Sequence, residues 1–151
     1  MLQPTYHTIL NSYFRINSAQ NAGCAVSLDS SNEGFVLPAS GNGHVIGLLA
    51  QDVTVTGPTY VLGSVSPEAK VGDAVGVYMG QGQFLTDQLS SSCNINSLLY
   101  VDPANPGQLT SVQPSGGVAV ARAMTASGAV QQTQFGTTYN LTQIWFFGAQ
   151  Q

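Results

Sequence analysis

The side chains that could carry chemistry are few and lie far apart along this chain. The only two histidines, His7 and His44, have no acidic residue near them at metal-ligand spacing. Cys24 and Cys93 have no neighbouring base in the sequence, so nothing indicates a catalytic thiol. No nucleophile elbow, Walker loop or dinucleotide fingerprint occurs. We therefore predict that the protein is not an enzyme, with no catalytic residue, no metal site and no cofactor.

The acidic residues are scattered and suggest turns more than catalysis. They are Asp29, Glu33, Asp52, Glu68, Asp73, Asp87 and Asp102. Two carboxylates facing each other across strands could cleave a glycosidic bond. However, four of the aspartates adjoin predicted turns, where an aspartate binds its own backbone and ends a strand. We prefer the turn interpretation.

Charge is scarce, and its scarcity excludes whole classes of partner. Only 7% of the 151 residues are charged, the formal net charge is −4, and the cations are Arg15, Lys70 and Arg122. No basic patch can form, so we expect neither nucleic-acid binding nor attachment to a membrane surface. The segment Met1–Thr5 lacks the basic and apolar regions of a signal peptide, so we expect synthesis in the cytoplasm. In that compartment two free, mostly buried thiols are favoured over one disulfide.

The elements that position these residues are short β-strands separated by turns. No stretch holds a helical apolar period for three turns. Strands are predicted at 45–50, 52–56, 59–65, 74–79, 83–87, 97–102, 108–112, 117–124 and 129–135, with a short one at 35–37. The segment 59–65 should be the return strand of 52–56, and Gly80–Gly82 and Pro103–Gly107 should be hairpin connections. These hairpins predict an all-β fold, a small and mainly antiparallel barrel or sandwich.

The predicted strand at 117–124 has two different faces. Arg122 lies with Val118, Val120 and Met124, whereas the opposite face carries only Ala119, Ala121 and Ala123. An alanine face lets another sheet or subunit approach closely. If the valine face is core, the guanidinium must be paired, either by an acid such as Asp73, Asp87 or Asp102, or across a subunit interface.

The two ends of the chain differ from its middle. Residues 1–18 have no clean period and are predicted to form an N-terminal arm, followed by a single β domain at 19–151. Within that domain the regular core spans about 43–135, and an aromatic C-terminal segment covers 136–151. Trp145, Phe146 and Phe147 form either a last core strand or a contact patch. With Ala119, Ala121, Arg122 and Ala123, they are the candidates for contact between subunits.

The middle of the chain, about 45–130, resembles the decoration (cement) proteins of tailed-bacteriophage capsids. The segments that carry the resemblance, in order, are VIGLLAQDV (45–53), AKVGDAVGVY (69–78), GQFLTD (82–87), LYVD (99–102), GQLT (107–110) and GVAVA (117–121). This is an ordered pattern of strands and turns, and it covers a little over half of the chain. The N-terminal part and the aromatic tail have no counterpart in it.

The resemblance implies a structural virion protein. Such a protein binds the outer surface of the capsid and stabilises the head, often as trimers at three-fold or quasi-three-fold positions. Its partners would be the major capsid protein and itself. The N-terminal arm would pair with capsid strands, which makes Tyr6, His7, Tyr13, Phe14 and Arg15 the candidates for capsid contact. The alternative is a head-fibre, tail or adhesin-type binding module, which would show exposed aromatic side chains in a concave site.

Overall fold

The structure is a computed structural model that describes residues 2–4, 10–41, 44–57, 60–61, 64–65 and 68–149. Its described residues form strands, turns and loops, with no helix among them, which confirms the all-β prediction. Accordingly, none of the described segments is a helix of the length and hydropathy needed to cross a lipid bilayer.

One part of the fold is a closed five-stranded barrel with the order β10-β2-β4-β3-β5. Its strands are β2 (Leu10–Ile16), β3 (Ala25–Leu28), β4 (Phe35–Pro38), β5 (Gly47–Leu49) and β10 (Ala74–Tyr78). Strands β2 and β4 run parallel, and the other barrel pairs are antiparallel. The interior is filled by side chains such as Ile16, Val26, Leu49 and Val77, each 0–1% exposed.

The other large part is the main sheet, in which the order is β1-β11-β16-β14-β12-β13 and β15 pairs with the first half of β16. Its strands are β1 (Leu2–Pro4), β11 (Gly82–Thr86), β12 (Leu98–Val101), β13 (Leu109–Thr110), β14 (Ala121–Ala123), β15 (Val130–Gln134) and β16 (Thr137–Phe146). The β12–β13 pair confirms the hairpin predicted around Pro103–Gly107. The aromatic segment supplies β16, the longest strand, which lies between β11 and β14.

Two small pairs complete the described strands. They are β6 (Val53–Thr54) with β9 (Ala69–Lys70), in parallel, and β7 (Tyr60–Val61) with β8 (Ser64–Val65), antiparallel. The described residues of the predicted strand 59–65 pair with each other and not with 52–56, so the prediction of a return strand is wrong. The partner of β6 comes instead from beyond the small hairpin.

The connection at Gly80–Gly82 was also predicted incorrectly. Strand β10 pairs with β2 and β5 in the barrel, whereas β11 pairs with β1 and β16 in the main sheet. Two strands joined by a tight glycine-rich turn thus enter different sheets. Local turn chemistry sets the reversal of the chain, but the apolar faces of the two strands choose different partners.

The predicted N-terminal arm is built into the domain where the structure describes it. Strand β2 is a barrel strand, and β1 is the edge strand of the main sheet, with Leu2 only 8% exposed. The core consequently extends well outside 43–135, because β2, β3, β4 and β16 all contribute buried side chains. A strand with one apolar face gains more from pairing and burial than from remaining free in solvent.

The inner face of the main sheet packs against one side of the barrel. The barrel contributes Ala25 and Leu48 to this cluster, and the sheet contributes Phe84 and Phe146. Phe84 also bridges the two parts, since its ring lies 5.3 Å from that of Tyr78 and 6.3 Å from that of Phe146. The opposite face of the main sheet carries exposed side chains such as Arg122 and Leu98, together with buried ones such as Leu85.

Candidate functional site

The two histidines and the acidic residues are the first side chains to consider as possible metal ligands. His44 is exposed, and His7 lies outside the described residues. Among the described residues, no three or more of the histidine, cysteine, aspartate and glutamate side chains come close enough to hold a metal ion.

Both cysteines are free and buried, as the sequence predicted. Cys24 is 2% exposed and donates to Gln20 Oε1 at 3.6 Å. Burial raises the pKa of the Cys24 thiol to about 12. A thiol with that pKa carries almost no thiolate at neutral pH, so Cys24 packs as a small apolar side chain.

Two aspartates, Asp29 and Asp102, organise loops, and for Asp102, one of the four predicted at turns, this agrees with the turn interpretation. Asp52, another of the four, instead accepts from the main-chain nitrogen of Ala22, a residue distant in the chain, at 2.7 Å. Asp29 accepts from the Ser31 main-chain nitrogen at 2.8 Å and from Asn32 Nδ2 at 2.9 Å. Asp102 accepts equivalently from Ala104 and Asn105, both at 2.8 Å. These hydrogen bonds, led by those from the asparagines, lower the pKa of both carboxyls. Asp29 and Asp102 therefore have local structural roles.

The most informative surface is a row of side chains across the outer face of the main sheet. Arg122 pairs directly with Leu98 on one side and with Trp145 on the other, and Trp145 pairs with Gln83. Directly opposed residues in antiparallel strands place their side chains on the same face. We call Leu98, Arg122, Trp145 and Gln83 the Trp145 row.

The Trp145 row has the composition of a protein interface. Arg122 and Leu98 are exposed, Leu98 to 37%, and Trp145 and Gln83 are half-buried. Met124, two residues beyond Arg122, adds a side chain that is 39% exposed. Tryptophan, arginine and methionine are enriched where proteins contact each other, and tryptophan and arginine supply much of the binding energy.

Arg122 does not occupy the core. Its Nη1 donates to the Asn96 main-chain oxygen at 3.4 Å, and the residue is exposed. The predicted buried face that joins Val118 to Arg122 is also not formed, because β14 begins only at Ala121 and Val118 is 66% exposed. The guanidinium therefore does not need the buried acid that a core position would require.

The alanine face closes the core of this chain. Ala121 and Ala123 are 0% exposed and belong to the cluster between main sheet and barrel. Phe146 is likewise 0% exposed, whereas Ala119 and Phe147 are half-buried. Ala121, Ala123 and Phe146 are therefore no longer candidates for contact between subunits, because their side chains are not exposed. The small alanine side chains allow another element to pack closely against them, and that element is the barrel of the same chain.

The N-terminal candidates are divided by the barrel. On β2, Tyr13 is 88% exposed, Phe14 is half-buried against the barrel core, and Arg15 is exposed. Arg15 Nη1 donates to the Gly72 main-chain oxygen at 2.9 Å. Tyr6 and His7 lie outside the described residues. Of this group, Tyr13 presents the largest described aromatic surface.

A second exposed aromatic residue lies at the tip of the β15–β16 hairpin and was missed in the sequence. Phe135 is 90% exposed, and both Phe135 and Gly136 have positive φ, at 48° and 79°. Two positive φ values are typical of a type I′ turn, which favours asparagine or glycine at the first position. The dipeptide Phe135-Gly136 between two strand patterns was the available signal, and it is a weak one.

A polar cleft of about 400 Å³ opens at the base of this hairpin. Five side-chain hydroxyls line it, from Ser90, Ser91, Ser92, Ser127 and Thr142. The Asp87 carboxylate, the Asn140 amide, Leu89 and Gly128 complete the lining. The run Ser90-Ser91-Ser92 was visible in the sequence, but the turn and strand that face it are distant along the chain.

No family model matches this chain, and no curated protein matches it at a significant level. The proposals that follow accordingly rest on the residues, the surfaces just described and the resemblance of the strand pattern.

Proposed function

We propose that this chain is a structural virion protein that binds the outer surface of a tailed-phage capsid and stabilises the head. In this proposal it acts as trimers at three-fold and quasi-three-fold positions, contacts the major capsid protein, and is made in the bacterial cytoplasm. It is a binding protein with no catalytic role. The observation that carries the proposal is the Trp145 row on the outer face of the main sheet.

The Trp145 row supports contact between copies. It presents an aromatic ring and an aliphatic chain around one exposed guanidinium. Because the surface carries few charges, identical neighbours repel each other little when they pack closely. Repetition by symmetry then adds many weak contacts into a stable shell.

Tyr13 and Phe135 support contact with the capsid. Their exposed fractions, 88% and 90%, are the largest among the exposed large hydrophobic residues of the described ranges. Aromatic side chains bring a large contact area with few rotatable bonds, so docking them costs little entropy. A rigid barrel and sheet behind them keep that cost low.

The test is quantitative mass spectrometry of purified phage particles that carry this chain. Copy numbers near those of the major capsid protein are expected, since a decoration protein occupies repeated positions on the shell. A handful of copies per particle would overturn the proposal in favour of a fibre or tail component. Absence from the particles would overturn the virion role altogether.

The second candidate function is a head-fibre, tail or adhesin-type binding module, and the polar cleft favours it. A cleft lined by hydroxyl, amide and carboxylate groups suits recognition of a small polar ligand. Under this alternative the cleft is the site that matters and the Trp145 row is a secondary contact.

A further inference from the structure

We infer that the polar cleft binds a neutral saccharide unit. The site lies between the segment 87–92, the turn at Ser127 and Gly128, and the strand β16 at Asn140 and Thr142. This inference concerns the isolated chain, so it holds or fails independently of any attachment to a capsid.

The lining of the cleft selects the class of ligand. Among the described residues that line it, Asp87 is the single charged one and none is a lysine, arginine or histidine, so a phosphate or another anion finds no countercharge there. In the described part of the lining, Leu89 is the only large apolar side chain, so a purely apolar ligand would leave the polar groups of the cleft without hydrogen-bond partners. One carboxylate is too few for a typical metal cage. A neutral ligand rich in hydroxyl groups matches what remains.

The cleft is shallow and open to solvent, so it would contact one side of a single sugar unit. Small-molecule sites span roughly 300 to 1,000 Å³, and about 400 Å³ lies at the small end of that range. The cleft is therefore suited to a terminal or branching sugar that enters from solvent.

The hydroxyl groups are held in place before any ligand arrives. Ser91 Oγ lies 3.0 Å from Thr110 Oγ1 and 3.2 Å from Ser111 Oγ. Ser127 Oγ accepts from the Cys93 main-chain nitrogen, and Thr142 Oγ1 accepts from the Gly128 main-chain nitrogen at 3.0 Å. A hydroxyl donates once and accepts twice. Ser91 Oγ also accepts from the Ser111 main-chain nitrogen at 2.9 Å, so it has no position left and only shapes the cleft. Ser127 Oγ also donates to Cys93 and keeps one acceptor position for a ligand, whereas Thr142 is 1% exposed and offers almost no surface. Groups fixed in advance lose little entropy on binding.

Two side chains at the rim are the best placed to choose among sugars. Asn140 is exposed and accepts from Gln131 Nε2 at 3.2 Å through Oδ1, which leaves its Nδ2 group to donate to a sugar oxygen. Ser92 also lines the cleft and is exposed. Because neither side chain is buried, both can be replaced with little effect on the core.

The affinity for a single sugar should be weak. None of the described lining residues is aromatic, so we expect binding to depend on hydrogen bonds that compete with water. We expect dissociation constants on the order of 1 mM for monosaccharides. Several copies held together would bind a polysaccharide far more tightly through multivalency.

The test is nuclear magnetic resonance titration of the full ¹⁵N-labelled chain. The probes are the methyl pyranosides of glucose, galactose, mannose and N-acetylglucosamine, added to about 50 mM, a level that detects millimolar binding. Inorganic phosphate and calcium chloride serve as separate probes for an anion or cation site. The variants are Asn140→Ala and Ser92→Ala, and the matched control is Asn17→Ala, an exposed asparagine near the barrel.

At least one sugar should shift the amide signals of residues 89–92, 127–128 and 140–142 in a saturable manner. Each cleft variant should weaken that binding about fivefold, as expected for one lost hydrogen bond, and Asn17→Ala should leave it unchanged. The inference is overturned if no sugar shifts these signals, if the shifts map elsewhere, or if the variants bind as the parent does. A response to phosphate or calcium alone would likewise overturn it.

Discussion

Arg122 of β14 and Trp145 of β16 are direct partners across two antiparallel strands, and both side chains lie on the outer face of the main sheet. The neighbouring residues on each strand, Ala121, Ala123, Ile144 and Phe146, are 0% exposed and face the barrel. One pair of strands thus seals the core on one face and displays an arginine beside a tryptophan on the other.

The first prediction concerns Arg122→Ala. Because the guanidinium is exposed and its described contact is a long hydrogen bond of 3.4 Å, the free energy of unfolding should change by no more than about 0.5 kcal/mol. Self-association should weaken clearly, because arginine at the centre of an interface is a frequent hot spot. Urea denaturation measures the first effect, and analytical ultracentrifugation measures the second.

Arg15→Ala is the matched control, because Arg15 is also exposed and also donates to a main-chain oxygen, but on the barrel. It should leave self-association as it was. If Arg122→Ala lowers the free energy of unfolding as much as Arg15→Ala does, and leaves self-association unchanged, the Trp145 row is not a subunit contact.

The second prediction concerns Gly107, which ties the β12–β13 hairpin to the barrel. Its nitrogen donates to the Ala39 oxygen at 2.7 Å, and its oxygen accepts from the Ala25 nitrogen at 2.8 Å. A Cβ atom there would collide with Cys24 Sγ, and φ is +87°. Gly107→Ala should therefore lower the free energy of unfolding by about 3 kcal/mol or more, from combined backbone strain and overpacking.

Gly136→Ala separates the two causes. Gly136 has φ of +79° but open space around its missing Cβ atom, so only the backbone term of about 1–2 kcal/mol applies. Both variants are measured by urea denaturation. Equal losses would mean that the hairpin and the barrel are not packed as closely as the structure indicates.

The local features of this fold could be predicted from the sequence, because each depends on residues close together in the chain. The hairpin at Pro103–Gly107 and the turn roles of Asp29 and Asp102 are of this kind. The pairing of β2 with β4 and the separation of β10 from β11 could not be predicted. They depend on which apolar faces meet in three dimensions, and a local pattern carries no information about that choice.

In the candidate surfaces, too, single residues could be predicted from the sequence, whereas their arrangement in three dimensions could not. Arg122 and Trp145 were each recognised as unusual residues, but their shared register arises only from the β14–β16 pairing. The alanine face was predicted as a surface for close approach by another sheet or subunit, and at Ala121 and Ala123 the approaching element is the barrel of the same chain. The polar cleft needed three distant segments, so no sequence pattern could reveal it.

The third prediction concerns pH and the loop at Asp102. The Asn105 amide, followed by Ser90, lowers the pKa of the Asp102 carboxyl in the folded state. A carboxyl whose pKa is lower in the folded state stabilises the fold at pH values above its unfolded pKa of about 3.9. This stabilisation is lost as the pH falls through the pKa of the folded state. Asn105→Ala should therefore raise the pKa of Asp102 toward its ordinary value, as measured by nuclear magnetic resonance titration of its carboxyl carbon.

Asp29 provides an internal control for this experiment. Its pKa is lowered mainly by Asn32, in a loop of the same Asp-x-x-Asn form on the barrel. In the Asn105→Ala variant the pKa of Asp29 should not move. A parallel rise in both would indicate a general change in the protein and not the loss of one hydrogen bond.

The fourth prediction concerns Phe135, whose backbone conformation conflicts with its side chain. A bulky residue at φ of 48° is strained, whereas asparagine tolerates this region and is preferred before glycine in a type I′ turn. Phe135→Asn should raise the free energy of unfolding by about 1 kcal/mol, since an exposed phenylalanine contributes no burial to offset the strain. Asn96→Ala should act in the opposite direction, because Asn96 already occupies a positive φ of 68°.

The same substitution bears on function when it is measured on particles. If Phe135 contacts the capsid, Phe135→Asn makes a more stable chain that binds capsids less, and the two effects have opposite signs. Binding to capsids that lack this chain is measured by co-sedimentation, beside the parent protein. A variant that is both more stable and equally bound would show that the hairpin tip is not a capsid contact, and Tyr13 would then be the exposed aromatic to test.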